Sequence, residues 1–188
     1  LASGACAYLT RRMDRENGIK AMEDFCQLTE RPTEKKYFGS YEQIGKLIRR
    51  YARFGGVDAL RFFEEVLFCY LTGNNDMHLK NFSLLREPDG AWNLSPAYDL
   101  VPAQIHLPKD SEELALTLNG KKRRLVSDDF AAFAASLHLT DTQFKRAVRR
   151  LTGRLAETLD ETLARSFLSQ EFQSKVRSLV ASRLRVFE

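Results

Sequence analysis

The stretch GNNDMHLKN, residues 73–81, gathers amide, carboxylate, imidazole and ammonium side chains into one short segment. An apolar run at residues 67–71 precedes it, and a strand-like run at residues 82–85 follows it. A polar loop held between two buried elements is a common way to build a catalytic site. Asn and Asp are also frequent in plain surface turns. The neighbouring segments therefore have to indicate whether this stretch is a site loop or a surface turn.

The segments on either side predict buried scaffolding. A helix capped by Asp58 and ending near Thr72 has apolar side chains around most of its circumference, which indicates a central buried helix. Gly73 suits the end of that helix because glycine readily adopts a left-handed backbone. After the loop, residues 82–85 and 92–94 flank the turn Pro88-Asp89-Gly90 and predict a β-hairpin.

Periodicity and capping patterns predict the remaining elements. We expect a strand at residues 5–12, a short helix at residues 20–30, a helix capped by Ser40, a further strand at residues 114–118, and helices capped by Ser127, Thr140 and Ser169. The predicted fold class is therefore mainly α with a small β-hairpin or sheet, in one domain.

Composition narrows the class of protein. The chain has 188 residues, is 44% hydrophobic and carries a net charge of +4, which is milder than a dedicated nucleic-acid binder requires. No run approaches the ~20 apolar residues of a membrane helix. Three cysteines without a Cys-x-x-Cys pair argue against disulfides or zinc and favour a reducing, cytoplasmic setting. The chain starts at Leu1 without a signal pattern, and we expect a fragment or processed product.

The spacing of three polar residues suggests phosphoryl transfer. Asn81 follows Asp76 by five positions, and Asp99 lies eighteen positions further on, within Pro96-Ala97-Tyr98-Asp99-Leu100. In protein kinases a carboxylate at the first position accepts the substrate hydroxyl proton, while an amide and a second carboxylate hold Mg²⁺. The simpler alternatives are a loop-capping Asp76 and a turn-forming Asp99.

Several segments together resemble the HipA family of bacterial toxin kinases. They are LTGNNDMHLKNFS at residues 71–83, PAYDLVP at 96–102, RMDR at 12–15 and MEDFCQ at 22–27. The likeness runs from about Tyr8 to Pro102. It implies a protein-kinase-like C-terminal lobe, in which residues 1–15 are the end of an N-lobe strand with the hinge. Residues 16–188 would then form the helical lobe that carries the catalytic loop and the metal-binding motif.

The resemblance also implies cofactors and residue roles. ATP and Mg²⁺ are the implied cofactors, with Asp76 as the catalytic base and Asn81 and Asp99 as the metal ligands. The Asp-x4-Asn spacing alone is a weak match, and the buried helix before it, the hairpin and the Tyr-Asp-Leu after it make the match more specific.

Four further residues are nucleotide-binding candidates. His78 is expected to donate a hydrogen bond to phosphate, and Lys80 to face either phosphate or solvent. Arg11 and Met13 fall on the implied hinge, where the backbone meets the adenine. This chain has Arg11 and Met13 where family hinges often carry an acidic residue and an aromatic one; Met13 is equally explained as a gap-filling core residue.

Three functions fit these observations. The first is a toxin-type serine/threonine protein kinase that transfers the ATP γ-phosphate to a protein hydroxyl. The resemblance then implies a helix-turn-helix antitoxin partner, a protein substrate such as an aminoacyl-tRNA synthetase, and nucleic acid contacted only through the antitoxin. The second is a small-molecule phosphotransferase, and the third is a non-catalytic binding module, for which nucleic acid is one candidate ligand. Residues 1–188 contain no Gly-rich phosphate loop, so we expect them to fold but to be inactive alone.

Overall fold

Helices dominate the computed structural model, which describes residues 9–15, 18–106 and 112–188. The helices of the described residues are α1 (Phe25–Leu28), α2 (Tyr41–Tyr51), α3 (Gly55–Thr72), α4 (Ala103–His106), α5 (Ser127–Ser136), α6 (Asp141–Ala164) and α7 (Gln170–Leu184). Short 3-10 turns occur at Met13–Arg15, Thr33–Lys35, Leu79–Asn81 and Arg185–Phe187. Among the helices in these ranges, none has the length and apolar character needed to cross a membrane. The mainly helical prediction is confirmed.

A three-stranded antiparallel sheet supports the polar loop. It consists of β1 (Met22–Asp24), β2 (Ser83–Arg86) and β3 (Trp92–Leu94), in the order β1-β2-β3. Strands β2 and β3 form the predicted hairpin, with Leu84 opposite Leu94. Strand β1 adds to the other edge of β2, with Asp24 opposite Ser83. The sheet therefore joins the segment after the polar loop to a segment about 60 residues earlier.

Helix α3 lies at the centre of the fold and packs against α2, α5, α6, α7 and β3. Phe62, Phe63 and Leu67 have no exposed surface, as expected for a helix that is apolar nearly all round. It ends at Gly73, whose φ of 72° is left-handed. The left-handed backbone favours glycine here, and a Cβ would also displace the Leu179 side chain, whose Cδ2 would lie 2.3 Å away.

Truncating the core of α3 should destabilise the domain. We expect Leu67→Ala to lower the free energy of unfolding by about 2–5 kcal/mol, because a fully buried leucine leaves a cavity. Phe167→Ala is the matched control, since Phe167 is fully exposed and should change stability by less than ~0.5 kcal/mol. Urea unfolding monitored by circular dichroism measures both. Equal stabilities for the two variants would contradict the central position of α3.

Two predicted elements near the amino terminus are wrong or only partly described. Residues 20–30 were expected to form one helix, but Met22–Asp24 is a strand and only Phe25–Leu28 is helical. Asp24 ends the strand and caps the helix, with its side chain accepting a hydrogen bond from the Gln27 N–H. The predicted strand at 5–12 lies partly outside the described residues, and its described part, residues 9–12, has no regular structure.

Three other expectations need correction. Asp58 does not cap α3; it lies in the first turn, and its carboxylate accepts a hydrogen bond from the Leu94 N–H at 3.0 Å. Helix α5 is capped at Val126 rather than Ser127, because Asp129 accepts from the Val126 N–H. Residues 114–118 do not form a strand, and only Thr117 and Leu118 among them take part in isolated bridges. The caps at Ser40, Thr140 and Ser169 are confirmed.

Candidate active site

The polar loop is a buried structure and not a surface turn. Asn74, Asn75, His78 and Asn81 are all buried, whereas Asp76 is exposed. Just after the end of α3, the backbone N–H of Asn74 donates to the Cys69 carbonyl oxygen at 2.8 Å. Burying so many polar side chains is costly unless each is paired. The pairing within this loop therefore determines where its side chains point.

Asn81 and Asp99 meet across the loop. The Asn81 amide nitrogen donates to Asp99 Oδ2 at 2.8 Å, although the residues are eighteen positions apart. The hairpin brings them together, since Ser83 and Ser95 at its open end share a backbone hydrogen bond of 2.9 Å. Asp99 has a left-handed φ of 56°. A non-glycine residue held in this region is a strained feature that is concentrated at functional sites.

Two side chains fix the segment that carries Asp99. The Asn74 amide, in the orientation that satisfies both of its ends, donates to the Val101 carbonyl at 3.0 Å and accepts from the Val101 N–H at 3.3 Å. The Tyr98 hydroxyl donates to the Lys80 carbonyl at 2.7 Å and lies 2.6 Å from Ser83 Oγ. Burial raises the pKa of Tyr98 to about 12, so its hydroxyl stays a donor. Both anchors oppose relaxation of the strained Asp99 backbone.

Asp76 is held at the mouth of the loop by a tyrosine. The Tyr37 hydroxyl donates to Asp76 Oδ1 at 2.7 Å, and the Asp76 carbonyl accepts from the His78 N–H at 2.9 Å. Because the Asp76 side chain remains exposed, a hydroxyl from another molecule can reach it. This combination of exposure and fixed orientation is what a catalytic base needs.

His78 lies beside both carboxylates. Burial, followed by the positive charge of Lys36, lowers the pKa of His78, while Asp76 and Asp99 act in the opposite direction. The imidazole is therefore neutral at neutral pH. Its buried Nδ1 has no hydrogen-bond partner in the described part of the chain. A buried polar atom without a partner is rare in folded proteins, and a bound water or a ligand atom would satisfy it.

Lys80 is directed toward the sheet rather than toward this cluster. Its ammonium lies 3.8 Å from the Asp24 carboxylate and 3.4 Å from the Thr33 hydroxyl. Its backbone carbonyl takes part in the site by accepting the Tyr98 hydrogen bond. The Lys80 side chain is thus engaged by Asp24 and Thr33.

A cavity connects Asp99 with the implied hinge. It measures about 540 Å³ and is lined by residues 10–14, by Met22 and by residues 96–99. Arg11 and Met13 are among the lining residues, together with Asp99. The buried Asp14 accepts two hydrogen bonds from Arg12, which hold the pKa of its carboxyl low. The fold thus places Arg11, Met13 and Asp99 around one space of the size that small ligands occupy.

The chemistry of Asn81 and Asp99 fits a hard cation. Within the ranges the structure describes, no group of three His, Cys, Asp or Glu side chains forms a metal cluster. Mg²⁺ typically uses one or two protein oxygens and completes its shell with water or phosphate. Neighbouring ligands of an octahedral Mg²⁺ are ~2.9 Å apart when each lies ~2.1 Å from the metal. At present the Asn81 amide nitrogen donates to Asp99 Oδ2 at 2.8 Å, so the two side chains are adjacent, and a turn of the amide would direct its oxygen to the same side as the carboxylate.

Sequence reasoning missed the part played by Tyr37 and underestimated Asn74. Tyr37 lies in a loop rich in Lys, and nothing local indicates that its hydroxyl reaches Asp76. Asn74 lies within the polar loop, and its amide binds the Val101 backbone near Asp99. The two consecutive asparagines before Asp76 were the available sequence signal for this contact.

Comparison with known proteins identifies the family. The model of the HipA-like C-terminal domain matches residues 1–159. "Putative kinase Y4dM" of Sinorhizobium fredii is 33% identical over 72% of this chain and 33% of that protein. "Putative kinase Y4mE" of the same species is 29% identical over 86% of this chain and 41% of its own length. A "Putative kinase" of Haemophilus influenzae is 26% identical over 73% of this chain and 44% of that protein. The chain thus spans less than half the length of these relatives.

A solved structure shares the fold. It is the Shewanella oneidensis MR-1 toxin–antitoxin complex of HipA, HipB and operator DNA, which matches with a TM-score of 0.71. The match covers 89% of this chain and 44% of that chain at 23% identity. At this identity the likeness shows a common fold. Together with the family model over most of the sequence, it establishes that the chain belongs to the HipA-like C-terminal domain family.

Proposed function

We propose that this chain is the C-terminal lobe of a HipA-type serine/threonine protein kinase that transfers the ATP γ-phosphate to a protein hydroxyl. The observation that carries the proposal is the 2.8 Å contact of Asn81 with Asp99, whose strained backbone borders the cavity lined by Arg11 and Met13. An amide and a carboxylate at that spacing, beside a cavity of nucleotide size, suit phosphates held by Mg²⁺.

Each residue has a defined task in this proposal. Asp76 accepts the proton of the acceptor hydroxyl as its oxygen bonds to the γ-phosphorus, while the bond from that phosphorus to the ADP oxygen breaks. Asn81 and Asp99 would hold Mg²⁺, which would neutralise the phosphate charge. His78 offers its unpartnered Nδ1 to a phosphate oxygen or a bound water. Phosphoryl transfer relies on such positioning and charge more than on covalent help from the protein.

The domain assignment and the adenine contacts belong to the same proposal. Residues 1–15 form the end of the small lobe and the hinge, and residues 16–188 form the large lobe. Arg11 and Met13 then line the adenine side of the cavity, with Asp99 at the phosphate side. Lys80 has a supporting role, because its ammonium is engaged by Asp24.

The proposed partner is an antitoxin of HipB type. The Shewanella HipA is found with HipB and operator DNA; we extend the antitoxin to this chain on the shared fold and family, with DNA contacted through that partner. The substrate is a cellular protein, for which an aminoacyl-tRNA synthetase is the example that the resemblance suggests.

Radiolabel transfer tests the proposed acceptor class. The complete protein is incubated with Mg²⁺ and ATP labelled on the γ-phosphate, with either the proteins or the small molecules of a bacterial lysate as acceptors. We expect label on serine or threonine of one or a few proteins, and none without Mg²⁺. Label confined to small molecules would replace the protein kinase with a small-molecule phosphotransferase. No Mg²⁺-dependent transfer in either fraction would contradict the proposal.

A further inference from the structure

Tyr37 contacts the proposed catalytic base from a distant part of the chain. Its hydroxyl donates to Asp76 Oδ1 at 2.7 Å across 39 sequence positions. Within the described residues it is the one side chain that hydrogen-bonds the Asp76 carboxylate. The contact is unrelated to the Asn81–Asp99 pair, so the metal site does not explain it.

The backbone around Tyr37 is fixed against the polar loop. The Lys36 carbonyl accepts a hydrogen bond from the Leu79 N–H at 3.1 Å. Shortly after Tyr37, the buried Tyr41 donates its hydroxyl to the Met77 carbonyl at 3.0 Å. Both contacts join the segment around Tyr37 to the residues that follow Asp76, so the phenol position depends on the fold and not on a free rotamer.

The aromatic ring of Tyr37 is 40% exposed but has two contacts of its own. It meets the His78 imidazole edge-on, with 5.0 Å between ring centroids and 77° between planes. The Lys36 ammonium lies 5.0 Å from the Tyr37 ring centroid. Such edge-on and cation–π contacts each add modest stability. The hydroxyl is thus presented to Asp76 by a ring with contacts on more than one side.

The hydrogen bond leaves Asp76 able to act. An ionised carboxylate has about four acceptor positions on two oxygens. Tyr37 uses Oδ1, and Oδ2 has no hydrogen-bond partner among the described residues. Burial and the neighbouring Asp76 raise the pKa of Tyr37 to about 12, so the phenol remains a proton donor at neutral pH. One oxygen is fixed while the other stays open to an acceptor hydroxyl.

We propose that Tyr37 is a positioning residue that orients the Asp76 carboxylate for the acceptor hydroxyl. The inference rests on the proposed function, because it needs Asp76 to be the base. It gives the loop at residues 32–39 a part in the reaction that its sequence does not suggest. A base misplaced by ~1 Å loses on the order of 100-fold in rate, so losing this contact should affect turnover more than nucleotide binding.

The test is steady-state kinetics on the complete protein with Tyr37→Phe, which removes the hydroxyl and keeps the ring. We expect kcat to fall by about 10- to 100-fold, with the KM for ATP within about twofold of the wild type. Tyr51→Phe is the matched control, since Tyr51 is exposed and its hydroxyl has no partner in the described residues. That control should leave kcat unchanged. Thermal melting of both variants checks that the fold is intact.

The outcomes separate this inference from the proposed function. Wild-type or faster turnover in Tyr37→Phe, with Asp76→Asn inactive, would overturn the positioning role and leave the base in place. A rise in KM for ATP at unchanged kcat would also overturn it, because the hydroxyl would then serve nucleotide binding. Full activity in Asp76→Asn would instead remove the proposed function on which the inference rests.

Discussion

Asp76→Asn in the complete protein should lower phosphoryl transfer by about 10²- to 10⁴-fold, the usual contribution of a general base. Asparagine keeps the shape of the side chain and an oxygen for the Tyr37 hydroxyl, but it cannot take up the proton. Mg²⁺-dependent ATP binding should change by less than about threefold, because Asp76 lies outside the Asn81–Asp99 pair. Radiolabel transfer measures the first quantity, and isothermal titration calorimetry measures the second.

The matched control for this variant is Asp128→Asn. Asp128 lies in the first turn of α5, is exposed, and makes no hydrogen bond or ion pair with the loop at residues 73–81 within the described residues. The Asp128→Asn variant should transfer phosphate at the wild-type rate. If Asp76→Asn also transfers at the wild-type rate, Asp76 is not the base. If it loses ATP binding in parallel with transfer, Asp76 belongs to the nucleotide site.

Asp99→Asn should weaken Mg²⁺-dependent ATP binding by at least about tenfold, or ~1.4 kcal/mol, and lower turnover as well. The charged oxygen is the stronger of the two proposed ligands, and Mg²⁺ favours carboxylates. Asparagine is the appropriate replacement, because Asn and Asp tolerate the left-handed backbone that this position adopts. Asp99→Ala would combine a lost ligand with backbone strain and so blur the result.

The comparison within this experiment is ATP binding with and without Mg²⁺. For the wild type we expect a large difference between magnesium and chelator, and for Asp99→Asn a small one. The affinity measured without metal should be similar for both proteins, since it reports the adenine side of the cavity near Arg11 and Met13. An unchanged Mg²⁺ dependence in Asp99→Asn would remove Asp99 from the metal site.

The features that were predictable from sequence depend on local chemistry. Helix α3 and its end at Gly73 follow from apolar periodicity and from the need for a left-handed residue. The hairpin follows from two short strands around a turn. Once the hairpin is known, Asn81 and Asp99 lie just beyond its two open ends, so their approach is predictable as well.

The features that could not be predicted depend on contacts between distant segments. Strand β1 has three residues of intermediate exposure, and only its pairing with β2 makes it a strand. Its last residue, Asp24, also caps α1, so the strand passes directly into the short helix with no turn between them. The Tyr37 contact with Asp76 is of the same kind, because neither residue carries a local pattern that points to the other.

Asp58 shows how one residue type serves two structural purposes. An Asp near the start of a helix is normally a cap, but here α3 begins three residues earlier, at Gly55. The Asp58 carboxylate binds the Leu94 N–H of β3 and the Arg61 guanidinium. Sequence reasoning placed the residue correctly near the helix start, while its partner came from a strand 36 positions away.

The most direct test of the account is a crystal structure of the complete protein with Mg²⁺ and a non-hydrolysable ATP analogue. We predict a magnesium ion about 2.1 Å from an Asp99 carboxylate oxygen and from the Asn81 amide oxygen, with the amide turned from its present hydrogen bond. The phosphates should approach His78, and the adenine should occupy the cavity lined by Arg11 and Met13. A nucleotide bound elsewhere, with the Asn81 amide nitrogen still donating to Asp99, would contradict the account.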